Sequence, residues 1–382
     1  MKFLHISDLH IGKRVNEFPM IEDQKHILRQ ILQIAEQENV DGVLLAGDIY
    51  DKTVPSAEAV RVFDRFLTGL ADRGKKVFAV SGNHDSPERI AFGARLMQGM
   101  GVYLSPVYEG TVEGISLWDE YGELQVWLLP FVKPATVRHA LEGESGAEGP
   151  ESYQDAVLTA VKRMKIDVTK RNILVAHQFV TGAGRCDSEE AAVGGLDNVD
   201  GAVFDGFDYV ALGHIHGPQS AGRESARYCG TPLKYSFSEA NHHKSVTILE
   251  LKEKGNLVIR AVELSPLRDM RELKGTYEEL TNRKNYEGTR VDDYLHITLT
   301  DEEDIVDAMG KLRVIYPNLM KLDYDNRRTR ENRELTGGET EESRTPLELI
   351  MDFYEKQNNQ PMNEKQKALV SELMEKVWEE AL

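Results

Sequence analysis

Short apolar runs that stop abruptly at a glycine or a small polar residue recur along this chain, and five of them end in side chains able to do chemistry. Ile6 leads into Ser7-Asp8-Leu9-His10, and Leu44-Leu45-Ala46 into Gly47-Asp48-Ile49-Tyr50-Asp51. Val77 to Val80 leads into Ser81-Gly82-Asn83-His84-Asp85, Ile173 to Ala176 into His177, and Tyr209 to Leu212 into Gly213-His214-Ile215-His216. A buried strand that ends this way presents the next residue at its carboxyl end, where open α/β sheets hold their ligands. Between the first strands the spacing turns helical. Ile27, Leu28, Ile31, Leu32, Ile34 and Ala35 predict a helix over 21–37, and Val60, Phe63, Leu67 and Leu70 predict one over 56–71. Ser86-Pro87-Glu88 signals a third helix start. This βαβαβα order predicts helices packed on a largely parallel sheet.

Past Gly99 the pattern becomes shorter and richer in strands, with a polar glycine-rich loop over 141–150, a helix over 152–165, and a first domain spanning 1–265. Residues 266–325 read as a small α+β unit, with an alternating strand over 293–299 and a helix over 301–316. Residues 326–344 are dense in charge and nearly free of large apolar side chains, a linker's composition. Within 345–382, Thr345-Pro346-Leu347-Glu348 and Asn363 with Gln366 signal two helix starts. Their apolar stripes, Leu347, Ile350, Met351 and Tyr354, then Leu369, Val370, Leu373, Met374, Val377 and Trp378, call for a partner surface.

Charge and cysteine content narrow the classes. The 382 residues carry 46 basic and 64 acidic side chains, a formal charge of −18, so the overall field repels nucleic acid and any such partner must be held locally. Two cysteines, Cys186 and Cys229, are too few for a disulfide framework. The first residues read as a strand and not as a signal peptide, and no apolar run approaches a bilayer's width. The expectation is a soluble cytoplasmic protein with no membrane association.

Asp8, His10, Asp48, Asn83, His177, His214 and His216 each follow a predicted strand. Mixed carboxylate, amide and imidazole ligands suit manganese, iron or zinc better than magnesium or calcium, and seven ligands suit two ions. Asp85 reads as structural, capping the following helix, and His5, His26, His139, His296 and His242-His243 lie away from the strand ends. Lys13 and Arg14 stand where a phosphate backbone could pass.

Together these blocks resemble the signature blocks of the calcineurin-like metallophosphoesterases. Tyr228 to Glu239 and the terminal region extend the similarity to bacterial nuclease subunits of that superfamily that work with a dedicated ATPase. The resemblance implies a sandwich of two sheets flanked by helices, an α+β cap and a terminal helical pair that binds the ATPase. Asp8, His10 and His216 would hold one ion, manganese foremost, Asn83, His177 and His214 the other, and Asp48 would bridge them. His84 would donate a proton to the leaving oxygen, with Asp51 orienting His84 or substrate. It implies a DNA endonuclease and exonuclease of repair and recombination, acting on single strands alone and on double-strand ends and hairpins with the ATPase, as two copies of each subunit, homodimeric and nucleoid-associated. A phosphatase on the same scaffold is the rival reading, against which Lys52-Thr53 after Asp51 stands. A non-catalytic scaffold is the third.

Overall fold

The computed structural model describes residues 1–142, 149–189 and 198–327, together with 329, 350, 351, 354, 362, 363, 365–367, 369, 370 and 373. Most of the glycine-rich loop, most of the charged linker and most of the two terminal helices lie outside the described residues.

In chain order the strands that build the core are β1 Lys2–Ile6, β2 Gly42–Ala46, β3 Lys76–Val80, β4 Val102–Leu104, β5 Gly114–Asp119, β6 Gly122–Leu129 and β7 Arg171–His177. They continue as β8 Tyr209–Gly213, β9 Gln219–Ala221, β10 Arg223–Tyr228, β11 Ser245–Leu251 and β12 Leu257–Glu263. One six-stranded sheet runs β12-β11-β1-β2-β3-β4 and a second runs β9-β10-β8-β7-β6-β5. The strands β1 to β4 are mutually parallel, as are β6, β7, β8 and β10, so their carboxyl ends gather along one edge of each sheet.

The burial of β2 shows why its sequence is apolar without alternation. Val43 and Leu45 pack toward the helices α1 Ile21–Gln37 and α2 Ala57–Asp72, while Leu44 and Ala46 face the second sheet. In β7 the same division holds: Ile173 and Val175 face the first sheet, and Leu174 and Ala176 face the layer containing α3 Tyr153–Arg163. Strands covered on both faces need apolar residues at every position. The result is a helix–sheet–sheet–helix sandwich, the architecture the family resemblance implies.

Local signals hold with small shifts. Ser56 caps α2 by accepting from Ala59 N, and Ser152 with Asp155 forms a capping box on α3. The helix signalled at Ser86-Pro87 is short, Pro87–Ile90, and a second turn Ala94–Met97 begins only after Gly93, at φ 72°. The helix expected over 301–316 is confined to Ala308–Arg313, labelled α4. Asp307 before it is left-handed at φ 51°, and the run Asp301, Glu302, Glu303, Asp304 repels itself in a helix.

The chain divides into two compact units. The first comprises Met1–Lys274, Glu278–Thr298 and Asp307–Asp323, so the three-stranded sheet of β13 Met270–Gly275, β14 Tyr294–Leu299 and β15 Leu319–Tyr324 lies largely within it. In the second unit Asn326 Nδ2 donates to Asp301 O at 3.1 Å. There Asn363 Oδ1 accepts from Lys365 N and Gln366 N while Gln366 Oε1 accepts from Asn363 N, the reciprocal cap the sequence signals. Among the described residues no helix is long and apolar enough to cross a membrane.

Candidate metal centre

Each of the five blocks emerges from a parallel strand, and the two sheets bring them to one edge. His177 Nδ1 donates to Ala46 O at 2.8 Å, across the sandwich. The approach depends on missing side chains: a Cβ on Gly213 would lie 1.8 Å from Ala46 O, and one on Gly82 would lie 2.1 Å from Asp48 Oδ1. Asp8, His10, Asp48 and His214 all have positive φ, at 53°, 42°, 48° and 102°. Strained backbone of this kind persists where the surroundings over-determine it, and it clusters at functional sites.

Asp8, His10 and His216 each offer a ligand atom within 4.8 Å of the others, and so do Asp8, Asp48 and His177. His10 Nε2 faces His216 Nε2 at 3.2 Å, and Asp48 Oδ2 lies 3.7 Å from His10 Nε2 and 3.4 Å from His177 Nε2. Asn83 Oδ1 stands 2.9 Å from both His177 Nε2 and His214 Nδ1. Asp8 accepts the backbone N–H of His214 at 3.0 and 3.2 Å on its two oxygens. All seven predicted ligand residues therefore meet in one cluster.

The donor chemistry fits a cation. His177 spends its Nδ1 proton on Ala46 O, so Nε2 points a lone pair at two further acceptors, Asn83 Oδ1 and Asp48 Oδ2. That place must hold a proton or a metal. In the protein alone a proton fills it: burial opposes the charge, but Asp48 and Asp8 outweigh burial and lift His177 to about 9. Burial likewise drives Asp8 up to about 7, with the Asp48 charge adding to it. Burial would also raise Asp48, yet His177, His10 and His84 around it hold its carboxyl well below the usual range. His10 and His214 are held low, chiefly by burial, and His10 Nδ1 is buried without a hydrogen-bond partner. A divalent ion supplies the positive charge that this crowd of buried acceptors lacks.

His84 sits at the rim. Its Nδ1 donates to the backbone oxygen of Asp51 at 3.1 Å, its backbone N–H binds Asp48 Oδ1 at 2.9 Å, and its Nε2 is 3.9 Å from Asp48 Oδ2. It also forms a third ligand-like group with His10 and Asp48. The contact from Asp51 to His84 is thus made by main chain. The Asp51 carboxylate instead pairs with Lys13 at 3.0 Å and lies 3.9 Å from His10 Nδ1. Asp85 does not cap the next helix, a role Ser86 takes by accepting from Arg89 N. Its buried carboxylate accepts from Ile49 N, Tyr50 N and Gly82 N, locking two blocks together, because those three N–H groups converge on it.

Residues that the sequence did not single out surround His216. Ser188 Oγ lies 2.6 Å from His216 Nδ1, Glu189 Oε1 accepts from His216 N at 2.6 Å, and Lys244 Nζ donates to His216 O at 3.0 Å. Ser188 and Glu189 follow no apolar pattern, so nothing local marks them; Glu239 lies in the Tyr228–Glu239 stretch that carried the closer resemblance.

A two-sheet sandwich with clustered Asp, Asn and His at its parallel strand ends defines a calcineurin-like phosphoesterase. The chain belongs to that family, whose pattern matches residues 1–218, more than half its length. Residues 266–358 match the type 5 capsule protein repressor C-terminal domain. Within the family the chain is a homologue of SbcD, the smaller-lettered half of the name nuclease SbcCD: it is 34% identical over 326 residues to the SbcD component of that nuclease from Staphylococcus epidermidis, covering 84% of this chain and 85% of the relative. Similar solved structures include a dimetal phosphatase from Danio rerio, at 16% identity with 70% of this chain and 98% of that one covered and a TM-score of 0.38. Calcineurin-like phosphoesterase YfkN from Bacillus subtilis matches at 14% identity, covering 70% and 90%, with a TM-score of 0.32.

Proposed function

We propose that this chain is the nuclease subunit of a complex with the ATPase SbcC and hydrolyses DNA phosphodiesters with the help of two divalent ions. The observation that carries the reading is the convergence of Asp8, His10, Asp48, Asn83, His177, His214 and His216 on one cluster, with His84 at its open rim. In this reading Asp8, His10 and His216 hold one ion, Asn83, His177 and His214 the other, and Asp48 serves both. Two ions so held supply Lewis-acid charge beside the scissile phosphodiester. His84, with Nδ1 committed to Asp51 O, has Nε2 to deliver a proton to the departing sugar oxygen. Manganese is the proposed metal, on the mixed nitrogen and oxygen donors.

Residues 345–382 are proposed to bind SbcC, within an assembly of two SbcC and two copies of this chain associated with the nucleoid. The exposed apolar side chains of Phe92, Leu96 and Met100 support a protein contact on the sandwich as well, as a homodimer requires. DNA is proposed to bind weakly until SbcC joins, because the net charge of −18 opposes it.

Metal analysis run alongside manganese-dependent cleavage of single-stranded and hairpin DNA tests the reading. Two ions per chain and cleavage abolished by Asp48→Asn are expected. Phosphate release from a phosphopeptide exceeding DNA cleavage would reverse it in favour of a phosphatase. Truncation after Arg344 is expected to lose capture of SbcC and keep single-strand cutting; capture by the truncated chain would refute the assignment of the terminal segment.

A further inference from the structure

One buried charge pair has no part in the reaction as described. Glu239 is 0% exposed and Lys244 is 6% exposed. The Lys244 ammonium donates to Glu239 Oε2, to Thr231 Oγ1 at 2.7 Å and to His216 O at 3.0 Å, which uses all three of its protons. The other Glu239 oxygen accepts from Tyr235 N and Ser236 Oγ, each at 3.2 Å, and from Ser188 Oγ at 2.5 Å. Ser188 in turn meets His216 Nδ1 at 2.6 Å.

The directions of these bonds follow from the donors. A lysine ammonium can only donate and an ionised carboxylate can only accept, so the Ser188 hydroxyl must spend its proton on Glu239. Its remaining capacity toward the imidazole is as an acceptor. His216 must therefore carry its proton on Nδ1, which leaves the Nε2 lone pair facing His10 Nε2 at 3.2 Å and the Asp8 carboxylate beyond. Packing alone gives no reason for this arrangement. Two charges taken out of water cost several kcal/mol, and well-packed apolar residues in their place are often as stable or more so.

We infer that Ser188, Glu239 and Lys244 form a relay of positioning residues that locks His216 in the Nδ1–H tautomer and so presents Nε2 to the metal. The inference rests on the proposed reading of His216 as a ligand. Hydrogen-bond partners of this kind orient a ligating histidine and raise its basicity, and their loss typically weakens metal binding about 10- to 100-fold. The relay is assembled from distant pieces: Ser188 comes from the segment after β7, Glu239 follows β10, and Lys244 opens onto β11.

The test uses the full chain labelled with ¹⁵N-histidine and freed of metal, in wild type, Ser188→Ala, Ser188→Thr and Glu239→Gln, with the His216 resonances assigned from a His216→Gln spectrum. Wild type is expected to show His216 protonated on Nδ1 alone. Ser188→Ala and Glu239→Gln are expected to give a mixture of both tautomers, and Ser188→Thr, which keeps the hydroxyl, to restore the single form. Titration of the same proteins with Mn²⁺ is expected to show one of two ions bound about 10- to 100-fold more weakly in Ser188→Ala, and wild-type affinity in Ser188→Thr. A folded Ser188→Ala protein with the wild-type tautomer, or with both Mn²⁺ affinities unchanged, overturns the relay. Failure of wild type itself to bind two Mn²⁺ ions would instead overturn the metal-centre reading, since the tautomer is read on metal-free protein.

Discussion

Gly82→Ala probes the closeness on which the centre depends. A Cβ at residue 82 would lie 2.4 Å from the Asp48 backbone nitrogen and 2.1 Å from Asp48 Oδ1, where ordinary contact begins at 3.4 Å. The β2 and β3 loops must then part by about 1 Å, since a backbone atom, unlike the tip of a long side chain, cannot swing aside. That movement carries Asp48 away from His177, now 3.4 Å distant, and His10, at 3.7 Å, and it pulls Gly82 N from Asp85. Overpacking of this kind costs about 1–3 kcal/mol, so the variant is expected to fold. A misplacement of about 1 Å in a catalytic group lowers rate about 10²-fold. The assay is manganese-dependent cleavage of single-stranded DNA, with metal content and urea denaturation measured on the same preparation. Gly99→Ala is the control: a Cβ there meets nothing within 4 Å, and it is expected to cleave as wild type does. Cleavage by Gly82→Ala within about threefold of wild type, at full metal content, would refute the reasoning.

Three further outcomes are expected. His84→Gln keeps its metal but cleaves about 10²- to 10⁴-fold more slowly, measured as single-turnover rate beside metal content, and loss of metal with activity would mark His84 as a ligand instead. Arg171→Met strands Asp119, which the buried guanidinium grips at 3.0 and 2.5 Å, and two carbonyls, Gly122 O and Lys252 O; urea unfolding is expected to show a loss of about 3 kcal/mol, and an unchanged midpoint refutes it. His5 is held neutral between Tyr209 Oη and Leu212 O, with burial and then Arg227 lowering it to about 3. Because the unfolded chain takes up that proton first, the His5 contribution is full above the ordinary histidine value of about 6.5 and is lost as pH falls toward about 3. Its loss is on the order of 4 kcal/mol, and His5→Gln should flatten the dependence of stability on pH over that window; parallel curves for the two proteins would refute the assignment.

The amino-acid order alone determined the strands and the identity of the loops that follow them. A strand covered on both faces, such as Gly42–Ala46, must be apolar throughout, and its end is marked where Gly47 and Asp48 break the run. Cap chemistry was equally local, as at Ser56, Ser152 and Asn363. The seven clustered residues could be picked out for the same reason: each directly follows an element whose burial sets its own pattern. Folding decided what no local pattern encodes. Asp51 meets His84 through its carbonyl and Lys13 through its carboxylate, and Asp85 ties two loops where a helix cap was expected. Ser188, Glu239 and Lys244 converge on His216 from separate segments, and the helix expected over 301–316 shrinks to Ala308–Arg313. Periodicity records which face of one element is buried, whereas a hydrogen bond between segments depends on which strands pair and how closely their ends approach, and that is settled only when both sheets are packed.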